Sequence, residues 1–345
     1  MSSLTAKQWQ RFKSIKRGYW SALVLAVLLV LSVAAELLVN SRALLVSYQG
    51  KLYFPTYGAV IPGKTFGLDY EYETNYRELK QHFQQQGQGN WVLLPLVPYN
   101  PYENDLTPGQ YPPTLPSWEK QHYLGTDTSG RDVVARLVYG FRIVMTFSLA
   151  LLFCSYFIGI SIGSLMGFVG GKLDLIGQRL IEIWSNLPFL YVIMIVASII
   201  LPSFAILLII MVLFNWGDMT WYMRTATYKE KSREYVLAAK AQGAGALRIV
   251  FKHILPNRVA TIVTFVPFAV AAGITAVTSL DYLGFGLPPP TPSWGELLGQ
   301  GTRHLEAGWL VGSVVTAMVL VLVMVTFVGE AIREAFDPKQ HTYYN

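Results

Sequence analysis

The chain offers few side chains spaced for chemistry. GAVIPGKT, Gly58–Thr65, fits the phosphate-loop pattern GxxxxGK[ST]. That pattern works when a buried strand feeds a glycine loop opening into a helix, so that backbone amides cradle phosphate. Neither flank qualifies. Pro55 interrupts the short apolar run before it, FGLDY (Phe66–Tyr70) is a poor helix start, and no apolar strand ending in Asp follows to hold magnesium. The match is set aside as chance. His82, His122, His253, His304 and His341 are scattered without an i, i+4 pair, and Cys154 is the single cysteine. No metal site is expected and no intrachain disulfide can form. No residue is assigned a catalytic role. Charge inside apolar runs is the better guide to a polar path. Asp218, Glu182 and Glu36 qualify, each near the end of its run. They read first as local hydrogen-bond partners, with Asp218 the strongest candidate for lining a cavity.

The elements that must position these residues are apolar. The chain has 345 residues, 52% hydrophobic and 14% charged, with a mean hydropathy of +0.37. A soluble domain carries nearer ~25% charged residues. A spanning helix needs about 20 mostly apolar residues. Six runs meet that need: Tyr19–Val39, Ile143–Phe168, Ile183–Leu201, Phe204–Tyr222, Val259–Leu280 and Trp309–Val328. The expected fold class is all-α and polytopic, in a lipid bilayer. Trp20, Trp184, Trp216, Trp221 and Trp309 are expected near span ends, where indole favours the headgroup level. Val33, Ala34 and Ala35 would suit a signal-cleaving enzyme, but apolar character runs on to Val39 and retention of the segment is expected.

Lys and Arg set the orientation. Lys7, Arg11, Lys13, Lys16 and Arg17 precede the first run without an acid. Arg224, Lys229, Lys231, Arg233, Lys240, Arg248, Lys252 and Arg258 follow the fourth. Both regions, and with six spans both termini, are expected in the cytoplasm. The net charge of +6 therefore reads as membrane orientation, not as affinity for nucleic acid. The expected parts are a basic N-terminus (1–18), a first span (19–39), an outward insertion (41–123), a core with five spans (124–329) and a tail (330–345).

The insertion holds 10 of the 20 tyrosines and 9 of the 18 prolines, with six basic and seven acidic residues. Its aromatics suffice for a small core, and its prolines argue for a rigid, loop-rich form. It is either a docking surface for an extracytoplasmic partner or a passive cap. Within the second span Ser155, Gly159, Gly163, Gly167 and Gly171 recur every four residues. That stripe lets a neighbouring backbone approach closely.

Residues 225–257 are the informative loop. Ser232 reads as a helix cap, Glu234 as a first-turn acid, Tyr235–Gln242 as a helix and Gly243 as its C-terminal glycine. Ala238, Ala239 and Ala241 keep that helix thin enough to enter a groove on a partner protein. A second amphipathic stretch, Leu247–Ile254, is expected to end at Pro256, with Asn257 capping the fifth span. An interfacial helix on anionic lipid is the competing reading, and the alanine-rich centre disfavours it.

Here the chain resembles a known family. Ala238, Ala239 and Gly243, followed by Leu255, Pro256 and Asn257, resemble the "EAA" loop of ABC-importer permeases. Three further segments are similar to its dipeptide/oligopeptide C-type branch: LGTDTSGRD (Leu124–Asp132), LGFG with PPTPSWG (Leu283–Gly295), and Gly329–Ala331 with Phe336, Asp337 and Pro338. The long insertion and Asp281 look most like the Yej-type inner-membrane permeases of microcin C and oligopeptide uptake. Leu237 stands where Glu is usual, and His253 where Ile is usual. The resemblance implies a type I permease fold with six spans and a periplasmic insertion. It implies ATPase coupling through Glu234, Tyr235, Ala238, Ala239, Gly243, His253, Leu255 and Pro256. It also implies a second homologous permease, cytoplasmic ATPase subunits that bind ATP and magnesium, a periplasmic peptide-binding protein and a peptide substrate. This chain itself would hold no cofactor. Replacing Lys64 is expected to leave nucleotide-driven transport intact, and Asp218→Asn to alter uptake of cationic peptides. The competing functions are an ion-coupled secondary transporter, which lacks the expected inverted repeat, and a membrane-anchored scaffold.

Overall fold

A computed structural model describes residues 2–87, 89–106, 109 and 111–336. Helices α1 (Ser2–Ser14), α2 (Lys16–Val33) and the one-turn α3 (Ala35–Leu38) open the chain. Strands β1 (Leu45–Tyr48) and β2 (Lys51–Tyr53), helix α4 (Tyr76–Gln86) and strand β3 (Trp91–Leu93) follow. The remainder is helical: α5 (Val133–Val169), α6 (Gly171–Ser185), α7 (Phe189–Ile199), α8 (Phe204–Glu230), α9 (Glu234–Ala241), α10 (Ala246–Arg248), α11 (Leu255–Val263), α12 (Val266–Tyr282), α13 (Trp294–Arg303) and α14 (Gly308–Phe336).

Four helices, α2, α5, α8 and α14, are long and apolar enough to cross a membrane, and two bent pairs bring the number to six if each pair is one span. The expected boundaries need correction at both pairs. The third run is not one helix. Pro188 disfavours helical geometry at Leu187 before it, and α6 meets α7 at 68°. The fifth run breaks at Thr264 and Phe265. Pro267 lacks an N–H and crowds the carbonyl four residues back, on Val263, where α11 ends. α5 starts ten residues before the expected Ile143, because the Asp132 carboxylate caps it by accepting from Ala135 N–H at 2.7 Å. α8 runs past Tyr222 to Glu230, so Trp216 and Trp221 lie inside a helix and not at its end.

α5 and α8 form the closest helix pair. Gly159, Gly163 and Gly167 make that approach possible. A Cβ on Gly159 would stand 2.8 Å from the Trp216 carbonyl oxygen, and one on Gly163 or Gly167 would press into Thr220 or Arg224 backbone. Gly171 leaves the stripe: it opens α6 with φ +60. Around the pair, Phe147, Ile193, Leu207, Ile274, Leu297 and Val314 lie in one continuous buried core.

The insertion folds around its own core. The sheet has order β2-β1-β3, antiparallel, with Val46 paired to Tyr53 and to Val92. Val46 and Val92 face Phe66, Leu79 and Phe83. Asn75 caps α4 by accepting from Arg77 N–H, and Gly87 ends it with φ +63. The small aromatic core expected of this segment is present. Gly63–Phe66 is a single 3-10 turn ended by Gly67, and Lys64 pairs with Glu71. The segment is neither fed by a strand nor opened into an α-helix, so it is no phosphate loop.

Candidate functional site

Three clusters bring the singled-out residues together. The first is the loop after α8. Glu230, at the end of α8, accepts from the Tyr235 hydroxyl at 2.7 Å and pairs with Arg258. That clamp seats α9. Val236 and Ala239 are buried against Phe168, Ile249, Val250 and Ile254, while the Lys240 ammonium sits 4.8 Å from the centre of the Phe168 ring. Gly243 turns the chain with φ +80, and its N–H reaches the Lys240 carbonyl at 2.9 Å.

Several local expectations change. α9 begins at Glu234, one residue early, and Ser232 does not cap it; its hydroxyl donates to the Lys229 carbonyl. Pro256 does not end a helix. It sits near the start of α11, and the π-helical stretch Ile249–Ile254 runs straight into it, so the chain stays helical through Pro256. Asn257 lies within α11 and donates to the His253 carbonyl at 2.8 Å. Ala239 faces this chain's own core, whereas Ala238 and Glu234 are exposed. Leu255 packs on Met219 and Met223, and His253 is half-buried. The sequence reading missed that Leu237, Leu247 and Phe251, in the same loop as Ala238, are exposed. Asp337 and Pro338 of the last motif lie outside the described residues.

The second cluster joins two motifs far apart in sequence. Asp127 and Arg136 are fully buried. Arg131 Nε donates to Asp127 at 2.7 Å and its Nη2 to Glu296 at 2.8 Å, and Arg136 pairs with the other Glu296 oxygen. Arg136 also donates to the carbonyls of Pro101, Pro290 and Thr291 at 3.1–3.2 Å. Gln300 links Thr128 to Glu296. His122 extends the cluster, 2.7 Å from the α5 cap Asp132 and 3.0 Å from Asp105. Burial alone would lower the His122 pKa, but its hydrogen bonds to Asp132 and Asp105 outweigh that and raise it above the ordinary imidazole value. LGTDTSGRD and the WGE segment are thus one buried lock. Spacing alone does not announce it, since the partners lie about 160 residues apart. Asp281, singled out earlier, accepts from Leu287 N–H at 2.7 Å and from the Ser293 hydroxyl at 2.5 Å, folding the loop that carries Trp294 and Glu296.

The third cluster is a cavity of ≈ 270 Å³ between α5, α8 and α12, lined by Ser155, Tyr156, Asn215, Asp218, Tyr222 and Phe265 among others. Asp218 is thus one of the residues that line this cavity. Glu36 and Glu182 are local partners, of Arg142 at 2.9 Å and of Arg179 at 2.6 Å.

Apolar helices long enough to cross a membrane, a short exposed helix braced on their ends and a polar cavity between them define a polytopic integral membrane protein. Residues 159–342 match the family model described as "Binding-protein-dependent transport system inner membrane component", and the chain belongs to that family. It is 39% identical to the inner membrane ABC transporter permease protein YejE of Escherichia coli (strain K12), over 99% of this chain and 98% of that protein. It is 38% identical to the peptidoglycan transport system permease protein YejE of Agrobacterium fabrum, over 98% of this chain and 94% of that protein. To the dipeptide transport system permease protein DppC of Haemophilus influenzae it is 35% identical, over 72% of this chain and 85% of that protein.

Proposed function

We infer that this chain is one permease subunit of an ATP-driven importer that moves peptides into the cytoplasm by alternating access. The observation that carries the reading is α9, an exposed helix whose buried side is anchored to the ends of α5 and α8. A push on its exposed side would reach both long helices. The exposed apolar side chains of Ala238, Leu237, Leu247 and Phe251 would supply a tip suited to a groove on an ATPase. Glu234, Tyr235, Ala239, Gly243, His253, Leu255 and Pro256 hold or shape that tip.

Membership of the family supports the remaining parts of the proposal. A second homologous permease completes the path, two ATPase domains bind ATP and magnesium, and a binding protein delivers the cargo. Six spans would place both termini in the cytoplasm and residues 41–123 in the periplasm, facing that binding protein. Two relatives carry dipeptide and peptidoglycan in their names. Peptide is the chemistry the two cargoes share, so peptide or a peptide-bearing fragment is the cargo proposed here.

The test is purification of this chain from its native background in mild detergent, followed by reconstitution. An ATPase and a second permease should co-purify, and uptake of peptide should need ATP and survive collapse of the proton gradient. Uptake that stops with the gradient and ignores ATP would establish the ion-coupled alternative.

A further inference from the structure

Four polar groups without a partner converge on the cavity beside Asp218. The Asp218 carboxylate makes no hydrogen bond or ion pair among the described residues, nor do the Tyr156 and Tyr222 hydroxyls. The Ser155 hydroxyl, on a residue 3% exposed, lacks a partner too. A serine in a helix can donate to a carbonyl one turn back, as Ser148 does to Val144 at 2.7 Å. Ser155 does not, nor do Ser164, Thr227 and Thr278, but of these four Ser155 alone lines the cavity. Ser155 is the buried one, and a bare buried hydroxyl is costly unless something arrives to satisfy it. Asp218 is exposed at the cavity and open to an arriving group.

The lining says what would arrive. A lone carboxylate calls for a cation. Tyr222 and Phe265 stand edge to face with centroids 4.8 Å apart, and Tyr156 lines the same cavity as Asp218. Aromatic faces around a carboxylate suit an ammonium group, held by charge and by the rings' negative faces. The volume of ≈ 270 Å³ falls just under the ~300–1,000 Å³ of sites that enclose a whole small ligand. It fits one end of a longer molecule. The one cation shared by peptides of every sequence is the N-terminal ammonium.

The geometry points to this cavity as the subsite that receives the N-terminal ammonium of the transported peptide, with Asp218 as counter-charge, Tyr156 and Tyr222 as walls and Ser155 as an acceptor. The inference rests on the peptide-import reading. It places recognition of the peptide's leading end in this subunit, in addition to whatever the binding protein selects.

The test traps the peptide in place. Vesicles carrying the complete importer, with Cys154→Ala and Ser155→Cys in this chain, take up Cys-Ala-Ala or Ala-Ala-Cys under mild copper-phenanthroline oxidation. The peptide with its cysteine beside the free amine should form the disulfide several-fold more readily, and adding Asp218→Asn should erase the difference. Equal trapping of the two peptides, or a preference that survives Asp218→Asn, overturns the subsite. A second readout needs no cysteine. In otherwise native importer, Asp218→Asn should lower the maximal rate of Ala-Ala-Ala uptake about tenfold, the scale of one charge-assisted hydrogen bond. Asp218→Glu should restore much of that rate, and half-saturation, set by the binding protein, should not move. An unchanged maximal rate in Asp218→Asn also overturns it. Failure of native importer to take up any peptide with ATP would instead bring down the import reading on which the subsite depends.

Discussion

Arg136 shows how much a single side chain holds. Its guanidinium is fully buried yet reaches Glu296, Asp127 and three backbone carbonyls from two distant segments. Removing one member of a buried pair strands the other's charge, at a cost of about 3–5 kcal/mol. Arg136→Met should therefore lower the melting temperature of the detergent-purified protein steeply, and adding Glu296→Met should recover part of the loss. An Arg136→Met protein that melts like wild type would show that the lock is not structural. His122 makes a prediction about pH. Its pKa is raised in the folded protein, so its contribution is full below the ordinary imidazole value of ~6.5 and is lost as pH rises through the higher folded value. Wild-type melting should fall on raising the pH from acid to alkaline, and His122→Gln should flatten that slope. Equal slopes would mean that His122 is not the titrating group. None of this is legible from residue types, because Arg131 and Asp132 look like ordinary loop charges until the fold closes on them.

Elements were legible where composition alone decides them. About 20 apolar residues in a row must span or be buried, and the long helices α2, α5, α8 and α14 lie on the expected runs. The glycine stripe also foretold the α5–α8 approach, because a missing Cβ leaves room at every fourth residue whatever the neighbour is. Gly163→Leu should accordingly drive the two helices apart, with an overpacking cost of about 1–3 kcal/mol or more, read as lost expression and a lower melting temperature. What hydropathy missed were bends and facing. Pro188 and Pro267 break apolar runs without making them less apolar. Ala238 and Ala239 are alike in composition, yet one is exposed and the other meets Ile249. That difference decides which alanine can test coupling. Ala239→Trp would wreck the seat of α9, so its failure would say nothing about a partner. Ala238→Trp should leave the chain folded while abolishing co-purification with the ATPase. An intact complex carrying Ala238→Trp would remove α9 from the interface. Gly243 lies in open space, so Gly243→Asp acts through its backbone. Gly243→Val, β-branched and poorer at positive φ, should uncouple ATP hydrolysis from uptake more severely.

At the scale of the whole molecule, two bodies are joined by a narrow neck. The sheet of the insertion encloses its own core, and the chain enters and leaves it at one place: Leu44 N–H donates to the Leu93 carbonyl at 2.9 Å and Asn40 N–H to the Val97 carbonyl at 3.1 Å. The stretch after the neck behaves differently. Pro101, Asp105 and His122 belong to the lock on α5 and α13. The sequence suggested one insertion over residues 41–123, because it lies between two apolar runs and no third run divides it. Structurally it divides into a lobe, about residues 45–92, and a strap that completes the core, the two tied beyond the neck by Arg77 of the lobe, which pairs with Glu103 and stacks over Tyr99. The two halves should therefore respond differently to deletion. Replacing residues 45–92 with a short glycine-serine linker spans a gap already closed by a hydrogen bond, so it should leave the chain folded and assembled with its partners. Replacing residues 100–122 removes the Pro101 carbonyl from Arg136 and takes His122 away from the α5 cap Asp132, and should prevent assembly altogether. If the lobe docks the binding protein, through an outer face that exposes Leu52, Trp91 and Leu93, its loss should cut binding-protein-driven uptake by about tenfold or more, the scale of losing an interface hot spot. ATPase activity without binding protein should be untouched. Full uptake without the lobe would make it a passive cap, and collapse of the chain without the lobe would show that the neck is no boundary.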